Sequence, residues 1–342
     1  MKVAFVTNKL LHVHKTNVGD SFIGYGLKYI LKQAIPEIEF TDVCRFTPFN
    51  SHDMQILHNS DCIIYAGMPQ YNNLDDWAFY YDVEIWEDFR RAGRPVLRLA
   101  GGGGYPSDTM TPSEFSAHLS KSQKTKDTLA FAMKITKLLT TRDPMAHQFV
   151  IDQGYPSTLL PCSGASACRW FGVHETTKKY NAICLTSSYI KNNPEQMKIV
   201  VELKRMQKFL EDYYNKPCKI ICQIKNSDYE FLKTHYSDEE IIVNDTLEGT
   251  IKTYSEVDVV VASRIHCALP IFGIGGRPII IRVDTRGSVG DVLNIPVIPL
   301  SEFDAARVIH IARNDLFSKV NPLDAVEAEI AFYRREIPKA LA

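Results

Sequence analysis

The chain has 342 residues, which is enough for two domains with complete cores, since domains cluster at about 100 to 200 residues. Its 39 lysine and arginine residues nearly balance 40 aspartate and glutamate residues, giving a formal net charge of -1. This balance provides no broad basic surface and argues against a protein that binds nucleic acid.

Targeting and redox signals in the sequence indicate a cytoplasmic protein. The apolar stretch 3–6 is too short for a signal peptide and is predicted to form a first strand. No apolar run approaches the roughly 18 residues that a membrane-spanning helix needs. The eight cysteines lie in apolar stretches without a paired CxxC spacing, which indicates reduced thiols.

A polar loop follows the first strand and leads into a helix. Apolar residues at positions 22, 23, 27, 30 and 31 have helical spacing, and Asn17 or Asp20 can cap the start of this helix. Two interpretations remain open at this point. The segment Asn17-Val18-Gly19-Asp20 is either a capped turn or a ligand-binding loop.

Two further strands are predicted at 61–67 and 94–100, and the second ends in four glycines that include Gly102 and Gly103. Consecutive glycines let a ligand or another segment come very close to the backbone. The aromatic stretch 71–89 between these strands is more typical of a core or domain interface than of a sugar platform.

A helix is predicted at 126–138, and the segment Thr141-Arg142-Asp143 then leads into a helix at 144–153. Arg142 therefore lies at a junction between a strand and a helix, as in successive βα units. The polar stretch 171–179 is interpreted as the linker between two domains.

The second half repeats this alternation. A strand at 180–185 ends in small hydrogen-bonding residues, including Ser187. The elements that follow are predicted as a helix at 194–214, a strand at 218–223, a helix at 227–240, a strand at 241–243 and a helix at 246–255. This pattern predicts an α/β fold, with domains at 1–172 and 173–302 and C-terminal helices at 303–342.

The most informative segment is the strand 259–262 with the residues that follow it. Ser263, Arg264 and His266 come where the strand ends and a helix begins, and ligands of open α/β folds collect at this edge of the sheet. An arginine suits a carboxylate or phosphate, and a histidine can deliver a proton. The alternative is structural: Ser263 as an N-cap, Arg264 as a surface charge and His266 as a core histidine.

Five segments resemble the polysaccharide pyruvyl transferase family. They occur in the family's order and span nearly the whole chain: Asn17-Val18-Gly19-Asp20 with Ile23 and Gly26 in the helix that follows, residues 101–106, Thr141-Arg142-Asp143, Ser263-Arg264-Ile265-His266 and Gly276-Arg277-Pro278. Each segment alone is a weak signal, whereas the ordered set is fairly specific.

The resemblance implies two Rossmann-like domains facing each other over a cleft, similar to the glycosyltransferase B arrangement, with the C-terminal helices packing back across the domains. The first domain would hold the acceptor and the second the donor. It also implies transfer of a pyruvyl group from phosphoenolpyruvate to sugar hydroxyls of a surface or capsular polysaccharide precursor, forming a ketal and releasing phosphate. On the family pattern, Arg264 and His266 serve the donor.

The chemistry of phosphoenolpyruvate fits these residue types. Its carboxylate and phosphate need fixed cations such as Arg264, and the N–H groups of a helix that we expect to start at Ala268. His266 is the predicted acid for the methylene carbon, and Asp20 the predicted base for a hydroxyl. Arg286 is either part of the anion site or a surface charge. The predicted substrate-binding residues are Asn17, Gly19, Gly102, Gly103, Arg142, Ser187, Ser263 and Arg282.

No metal and no cofactor is expected, because phosphoenolpyruvate is itself the donor and no ligand cluster is visible. A lipid-linked acceptor would place the protein at the inner membrane surface, and the sequence leaves a homo-oligomer open. Two alternatives remain. One is a glycosyltransferase that uses a nucleotide sugar. The other is a catalytically silent saccharide-binding protein, suggested by Ala66-Gly67-Met68-Pro69, where relatives usually have a glycine pair.

Overall fold

The computed structural model describes residues 1–8, 19–45, 49–67, 69–71, 83–174, 176–223, 228–244 and 246–342. Within these ranges the chain forms two sheets in which every strand pair is parallel, one sheet from each half of the sequence. Both faces of each sheet are covered by a hydrophobic cluster, as parallel sheets require.

The first sheet has the order β2-β1-β3-β5-β6-β7, and β4 pairs with the end of β5. Its strands in the described residues are β1 (Lys2–Thr7), β2 (Glu39–Cys44), β3 (Cys62–Ala66), β4 (Pro69–Tyr71), β5 (Val96–Gly103), β6 (Thr136–Thr141) and β7 (Thr158–Leu159). Alternate residues of β1 enter opposite clusters, since Val3 and Phe5 pack on one face and Ala4 and Val6 on the other. This two-sided burial explains its continuous apolar sequence.

The helices of the first half connect these strands. They are α1 (Gly19–Ala34), α2 (Ser51–His58), α3 (Val83–Arg91), α4 (Pro112–Leu119), α5 (Gln123–Met133), α6 (Pro144–Asp152) and α7 (Ala167–Trp170), which directly follows a 3-10 turn, Ser163–Ser166. The helix predicted at 126–138 is wrong at its end, because β6 already begins at Thr136 and supplies the edge on which β7 pairs.

The second sheet has the order β10-β9-β8-β11-β12-β13. The strands are β8 (Tyr180–Cys184), β9 (Cys218–Cys222), β10 (Ile241–Val243), β11 (Val257–Ala262), β12 (Arg277–Arg282) and β13 (Val297–Pro299). The connecting helices are α8 (Ser187–Lys191), α9 (Gln196–Tyr214), α10 (Glu230–Lys233), α11 (Leu247–Ser255), α12 (Ile265–Gly273) and α13 (Val289–Val292), with 3-10 turns at Thr285–Ser288 and Leu300–Glu302. The helix predicted at 227–240 is wrong in length, since α10 covers four residues.

The last two helices divide between the domains. The helix α14 (Ala305–Arg313) packs on α9 of the second domain, whereas α15 (Pro322–Leu341) returns to the first domain and packs on α1 and β6. The Tyr333 hydroxyl lies 3.0 Å from Oγ1 of Thr140, and Arg334 donates to the carbonyl of Gln33 at 3.0 Å. The C-terminal helices thus pack back across the domains as predicted. The predicted limits at 172 and 302 stay predictions.

The turn Ser163–Ser166 lies between helices of the two domains. The Cβ of any larger residue at Gly26 of α1 would lie 1.7 Å from the carbonyl oxygen of Ser163, and one at Gly273 of α12 would lie 1.6 Å from that of Ala165. Ser163 also donates its hydroxyl to the carbonyl of Ile23 at 3.0 Å. Backbone therefore packs directly on backbone where the domains meet.

The carboxyl group of Glu329 on α15 is buried without compensation. The residue is 2% exposed, and its Oε1 has no hydrogen-bond partner in the described part of the chain. Burial raises the pKa of Glu329 well above its ordinary value of 4.5. The folded protein therefore keeps this carboxyl protonated at pH values at which the unfolded chain ionises it.

We expect Glu329→Gln to stabilise the protein at alkaline pH. Because the unfolded state alone loses the proton, stability falls by about 1.4 kcal/mol per pH unit above the ordinary pKa, until the folded-state pKa is reached. An amide has the same shape and no charge to bury. The free energy of unfolding in urea should rise by at least about 1.4 kcal/mol at pH 8 and much less at pH 5. Glu327→Gln, at an exposed position of the same helix, is the control, and an equal response of both variants would contradict the explanation.

Candidate active site

The carboxyl ends of strands from both sheets surround a small cavity that is partly open to solvent. One wall comes from the first domain through Arg142, which follows β6. The other residues come from the second domain and are Thr186, Gln223, Ser263, Arg264, Ile265, His266, Asp284, Arg286 and Val289. Four of the predicted site residues, Arg142, Ser263, Arg264 and His266, therefore line one cavity.

Arg264 is held by an ion pair. Its Nη2 donates to Oδ2 of Asp228 at 2.6 Å, and the side chain of Asp228 is 1% exposed. The other carboxylate oxygen of Asp228 accepts from the hydroxyl of Ser187 at 2.6 Å and from its backbone N–H at 3.1 Å. Ser187, predicted to bind substrate, therefore holds the carboxylate that orients Arg264.

The start of α12 differs from the prediction. The helix begins at Ile265, and Arg264 is its N-cap residue. The N–H groups of Cys267 and Ala268 both bond to the carbonyl of Arg264, so the helix start expected at Ala268 is wrong and that N–H is occupied. Ser263 is not the N-cap either, because its hydroxyl accepts from the N–H of Thr186 at 2.7 Å.

His266 lies at a kink in the first turn of α12, where its backbone leaves helical geometry with φ of -83° and ψ of 18°. Its Nε2 is 4.0 Å from Sγ of Cys162, and its Cδ2 lies 3.3 Å from the position of a Cβ on Gly164. Burial lowers the pKa of His266 well below its ordinary value, and the positive charges of Arg142 and Arg286 lower it further. The imidazole is therefore neutral at pH 7 in the free protein.

Arg142 enters the cavity from the first domain. Its Nη1 donates to the carbonyl of Gly67 at 2.7 Å, and its Nε has no hydrogen-bond partner among the described residues. The guanidinium lies over Gly102, where a Cβ would be 2.4 Å from Nε. Gly102 is thus needed so that Arg142 can reach the cavity.

The neighbouring residue Asp143 fixes this corner of the first domain. One carboxylate oxygen caps α6 through the N–H of Ala146 at 2.8 Å, and the other accepts from the N–H of Gly103 at 2.9 Å. A side chain at Gly103 would also meet the ring of Phe115 at 2.9 Å. The close approach expected at the four glycines is made by the protein's own side chains.

The sequence analysis predicted Arg282 as substrate-binding and left Arg286 open between the anion site and a surface charge. Arg286 lines the cavity and its Nε donates to both carboxylate oxygens of Asp284 at 3.0 Å. Tyr189 donates its hydroxyl to Asp284 at 3.0 Å. Arg282 instead donates to the carbonyl of Met110 in the first domain. Arg282 thus joins the two domains, and the cavity receives Arg286.

The predicted residues at the start of α1 do not line this cavity. Asp20 lies in the first turn of α1 behind Gly19, and neither belongs to the described residues of the cavity wall. Asn17 lies outside the described residues, as does Met68 in the loop that departs from the family pattern. The predicted roles of Asn17, Gly19 and Asp20 stay predictions.

Several residues of the site carry no signal that sequence reasoning could use. Asp228 follows no recognised strand end and precedes a helix of only four residues, yet it holds Arg264. Gln223 follows β9 and donates to the hydroxyl of Tyr254 at 3.0 Å. Asp284 is different, because it lies in the polar loop after β12. Ligands of open α/β folds bind at such strand ends, so the sequence did give an indication for this residue.

The described ranges contain neither a helix that could span a membrane nor a cluster of metal ligands. None of the helices there combines the length and apolar character that crossing a bilayer requires. No group of three or more histidine, cysteine, aspartate or glutamate side chains in those ranges could hold a metal ion.

Solved structures with a similar fold include UDP-GlcNAc 2-epimerases. That from Methanocaldococcus jannaschii gives a TM-score of 0.58 at 10% identity, covering 98% of this chain and 99% of that chain. A putative UDP-N-acetylglucosamine 2-epimerase from Listeria monocytogenes gives 0.52 at 9% identity, covering 98% and 91%. MnaA from S. aureus, solved with UDP, gives 0.52 at 10% identity, covering 99% and 96%. Such identities show the fold alone, which is the predicted pair of Rossmann-like domains of the glycosyltransferase B type.

The family follows from the sequence comparison. No curated protein matches the chain. The model of the polysaccharide pyruvyl transferase family matches residues 17–270, which is well over half of the sequence. The chain therefore belongs to the polysaccharide pyruvyl transferase family, as its ordered segments predicted.

Proposed function

We propose that the protein transfers a pyruvyl group from phosphoenolpyruvate to two hydroxyls of a saccharide, forming a cyclic ketal and releasing phosphate. The observation that carries this proposal is the grouping of Arg142, Arg264 and Arg286 around His266 in one cavity. Phosphoenolpyruvate has a carboxylate and a phosphate, and guanidinium groups bind both through charge-assisted hydrogen bonds.

The three arginines differ in the charge that they already face. Arg264 is paired with Asp228, and Arg286 with Asp284. Arg142 donates to a neutral carbonyl and is 2% exposed. A buried cation that bonds to a neutral group favours an incoming anion strongly. We therefore assign Arg142 as the main contact of the donor's phosphate or carboxylate.

His266 is the proposed acid. It delivers a proton to the methylene carbon, which becomes a methyl group, and C2 becomes cationic. The first hydroxyl bonds to C2, the bond from C2 to the phosphate oxygen breaks, and the second hydroxyl closes the ketal. Of the two hydroxyl protons, one replaces the proton that His266 gave and the other leaves with phosphate.

The proposed base remains Asp20. Asp284 lines the cavity, but its carboxylate is already bonded to Arg286 and to the hydroxyl of Tyr189. The helix α1, which carries Asp20, packs against α12, which carries His266. We propose that the protein acts in the cytoplasm, and at the inner membrane surface if its acceptor is lipid-linked.

We expect Arg286→Gln to weaken phosphoenolpyruvate binding by roughly 10- to 100-fold, because one charge-assisted contact contributes about 1.5 to 3 kcal/mol. Arg286→Gln leaves the buried carboxylate of Asp284 without its arginine, as Arg264→Ala would do for Asp228, so thermal unfolding must first show that the variant is folded. Calorimetric titration with phosphoenolpyruvate measures the effect, and Arg307→Gln, at an exposed position of α14, is the control.

The same titrations with UDP and GDP sugars decide between the alternatives. Binding of phosphoenolpyruvate alone supports the pyruvyl transferase. Binding of a nucleotide sugar alone would contradict the proposal and favour a glycosyltransferase, and binding of neither would favour the silent saccharide-binding protein.

A further inference from the structure

A second groove lies beside the anion cavity, at the same edge of both sheets. Its walls come from the loop after β5 in the first domain, from α8 and the residues that follow it, and from the ends of β12 and β13. Its volume of about 490 Å³ is within the range of ligand-binding clefts. Nothing in the proposed chemistry of the donor uses this groove.

Tyr189 forms part of the wall between the groove and the anion cavity. It lines the groove, and its hydroxyl donates to Asp284, which lines the cavity and binds Arg286. The two sites are therefore separated by two hydrogen-bonded side chains, those of Tyr189 and Asp284.

The two sites have opposite chemistry. The cavity contains three arginines, whereas the lining of the groove in the described residues has no lysine or arginine and one charged residue, Asp108. The carboxylate of Asp108 already accepts from the N–H of Ser301 at 2.7 Å. The groove is thus unsuited to an anion and suited to a neutral ligand.

The polar groups of the groove match a polyhydroxyl compound. Asn192 and Ser188 are exposed, and neither side chain hydrogen-bonds to protein in the described part of the chain. Amides and hydroxyls both donate and accept, as sugar hydroxyls do. The ring of Tyr189, with Pro106 and Pro194, adds apolar surface for the C–H face of a sugar ring.

We propose that this groove binds the saccharide acceptor as a neutral polyol, with Asn192 and Ser188 bonding to hydroxyls and Tyr189 under the sugar ring. The inference rests on the proposed function, because it takes the adjacent cavity as the donor site. It also changes the predicted position of the acceptor. The acceptor would lie between the domains, chiefly against the second, and not in the first domain alone.

Saturation-transfer NMR with methyl glycosides of galactose, glucose, mannose and N-acetylglucosamine tests the groove directly. We expect at least one glycoside to bind, and the double variant Asn192→Ala with Ser188→Ala to weaken its binding by about fivefold or more, since two hydrogen bonds are lost. Both positions are exposed, so folding is not at risk. The control is Asn59→Ala, an exposed residue that does not line the groove.

The outcomes separate this inference from the proposed function. Binding of no glycoside, or equal binding to the double variant and the native protein, would contradict the assignment of the groove as the acceptor site. If phosphoenolpyruvate still bound in the calorimeter, the proposed donor site would be unaffected. Glycoside binding that depends on Asn192 and Ser188, without any binding of phosphoenolpyruvate, would contradict both the proposed transferase activity and the identification of the bound saccharide as its acceptor. Binding of both, with glycoside affinity reduced in the double variant and phosphoenolpyruvate affinity unchanged, is the expected result.

Discussion

Replacing His266 with asparagine is expected to lower pyruvyl transfer by about 10² to 10⁴-fold, the usual effect of losing a general acid, while phosphoenolpyruvate still binds. The reason is electrostatic. In the free protein, burial and the charges of Arg142 and Arg286 lower the pKa of His266, so the ring is neutral at pH 7. An anion that neutralises the arginines raises this pKa, and the ring takes up the proton that it later delivers.

Proton uptake makes this prediction measurable without an acceptor. Between pH 6 and 8 the complex should bind more protons than the free protein, so the heat of phosphoenolpyruvate binding should change with the ionisation enthalpy of the buffer. The slope should fall in His266→Asn and remain in His310→Asn, whose histidine is exposed on α14. If His266→Asn keeps the native slope, the acid is another group.

Gly26→Ala is expected to destabilise the protein by about 3 kcal/mol or more. Alanine at an ordinary helix position stabilises relative to glycine by roughly 0.5 to 1 kcal/mol. At Gly26, however, the new Cβ would lie 1.7 Å from the carbonyl oxygen of Ser163, and a backbone atom of a buried turn cannot move aside as a flexible side chain can. The expected change is therefore opposite in sign to the helix propensity.

Thermal and urea unfolding of the variant provide the measurement. Gln33→Ala, at an exposed position of the same helix, is the matched control and should change stability by less than about 0.5 kcal/mol. A Gly26→Ala protein as stable as the native one would show that α1 and the turn Ser163–Ser166 are not packed backbone to backbone in solution.

The fold could be predicted because its signals are local and repeated. Strands such as β1 and β11 are buried on both faces, so they are continuous apolar runs with helical patterns between them. The ends of these strands also gave Arg142, Arg264 and His266, since parallel strands bring their carboxyl ends to one edge. The predicted helix at 126–138 failed because the apolar residues of β6 continue the helical pattern of α5.

The partners within the site could not be predicted, because they depend on distances across the fold. Asp228 and Arg264 are 36 positions apart in the sequence. Asp228 lies just before the short helix α10, whereas Arg264 follows the strand β11. Arg282 ends β12 and Arg286 lies in the 3-10 turn that follows, and their different partners depend on the direction in which each side chain points. Composition and spacing contain no information on that choice. Nor do they show that the glycines at 102 and 103 accommodate Arg142 and Phe115.

The return of α15 to the first domain has a consequence for how the chain is made. Tyr333 and Ile337 are fully buried in the cluster that covers one face of the first sheet, together with Val3, Phe5 and Leu27. Domains often fold in the order in which they are synthesised. Here the first domain lacks part of its core until the whole second domain has been translated. Until then the apolar face that Tyr333 and Ile337 cover in the complete protein is exposed to solvent.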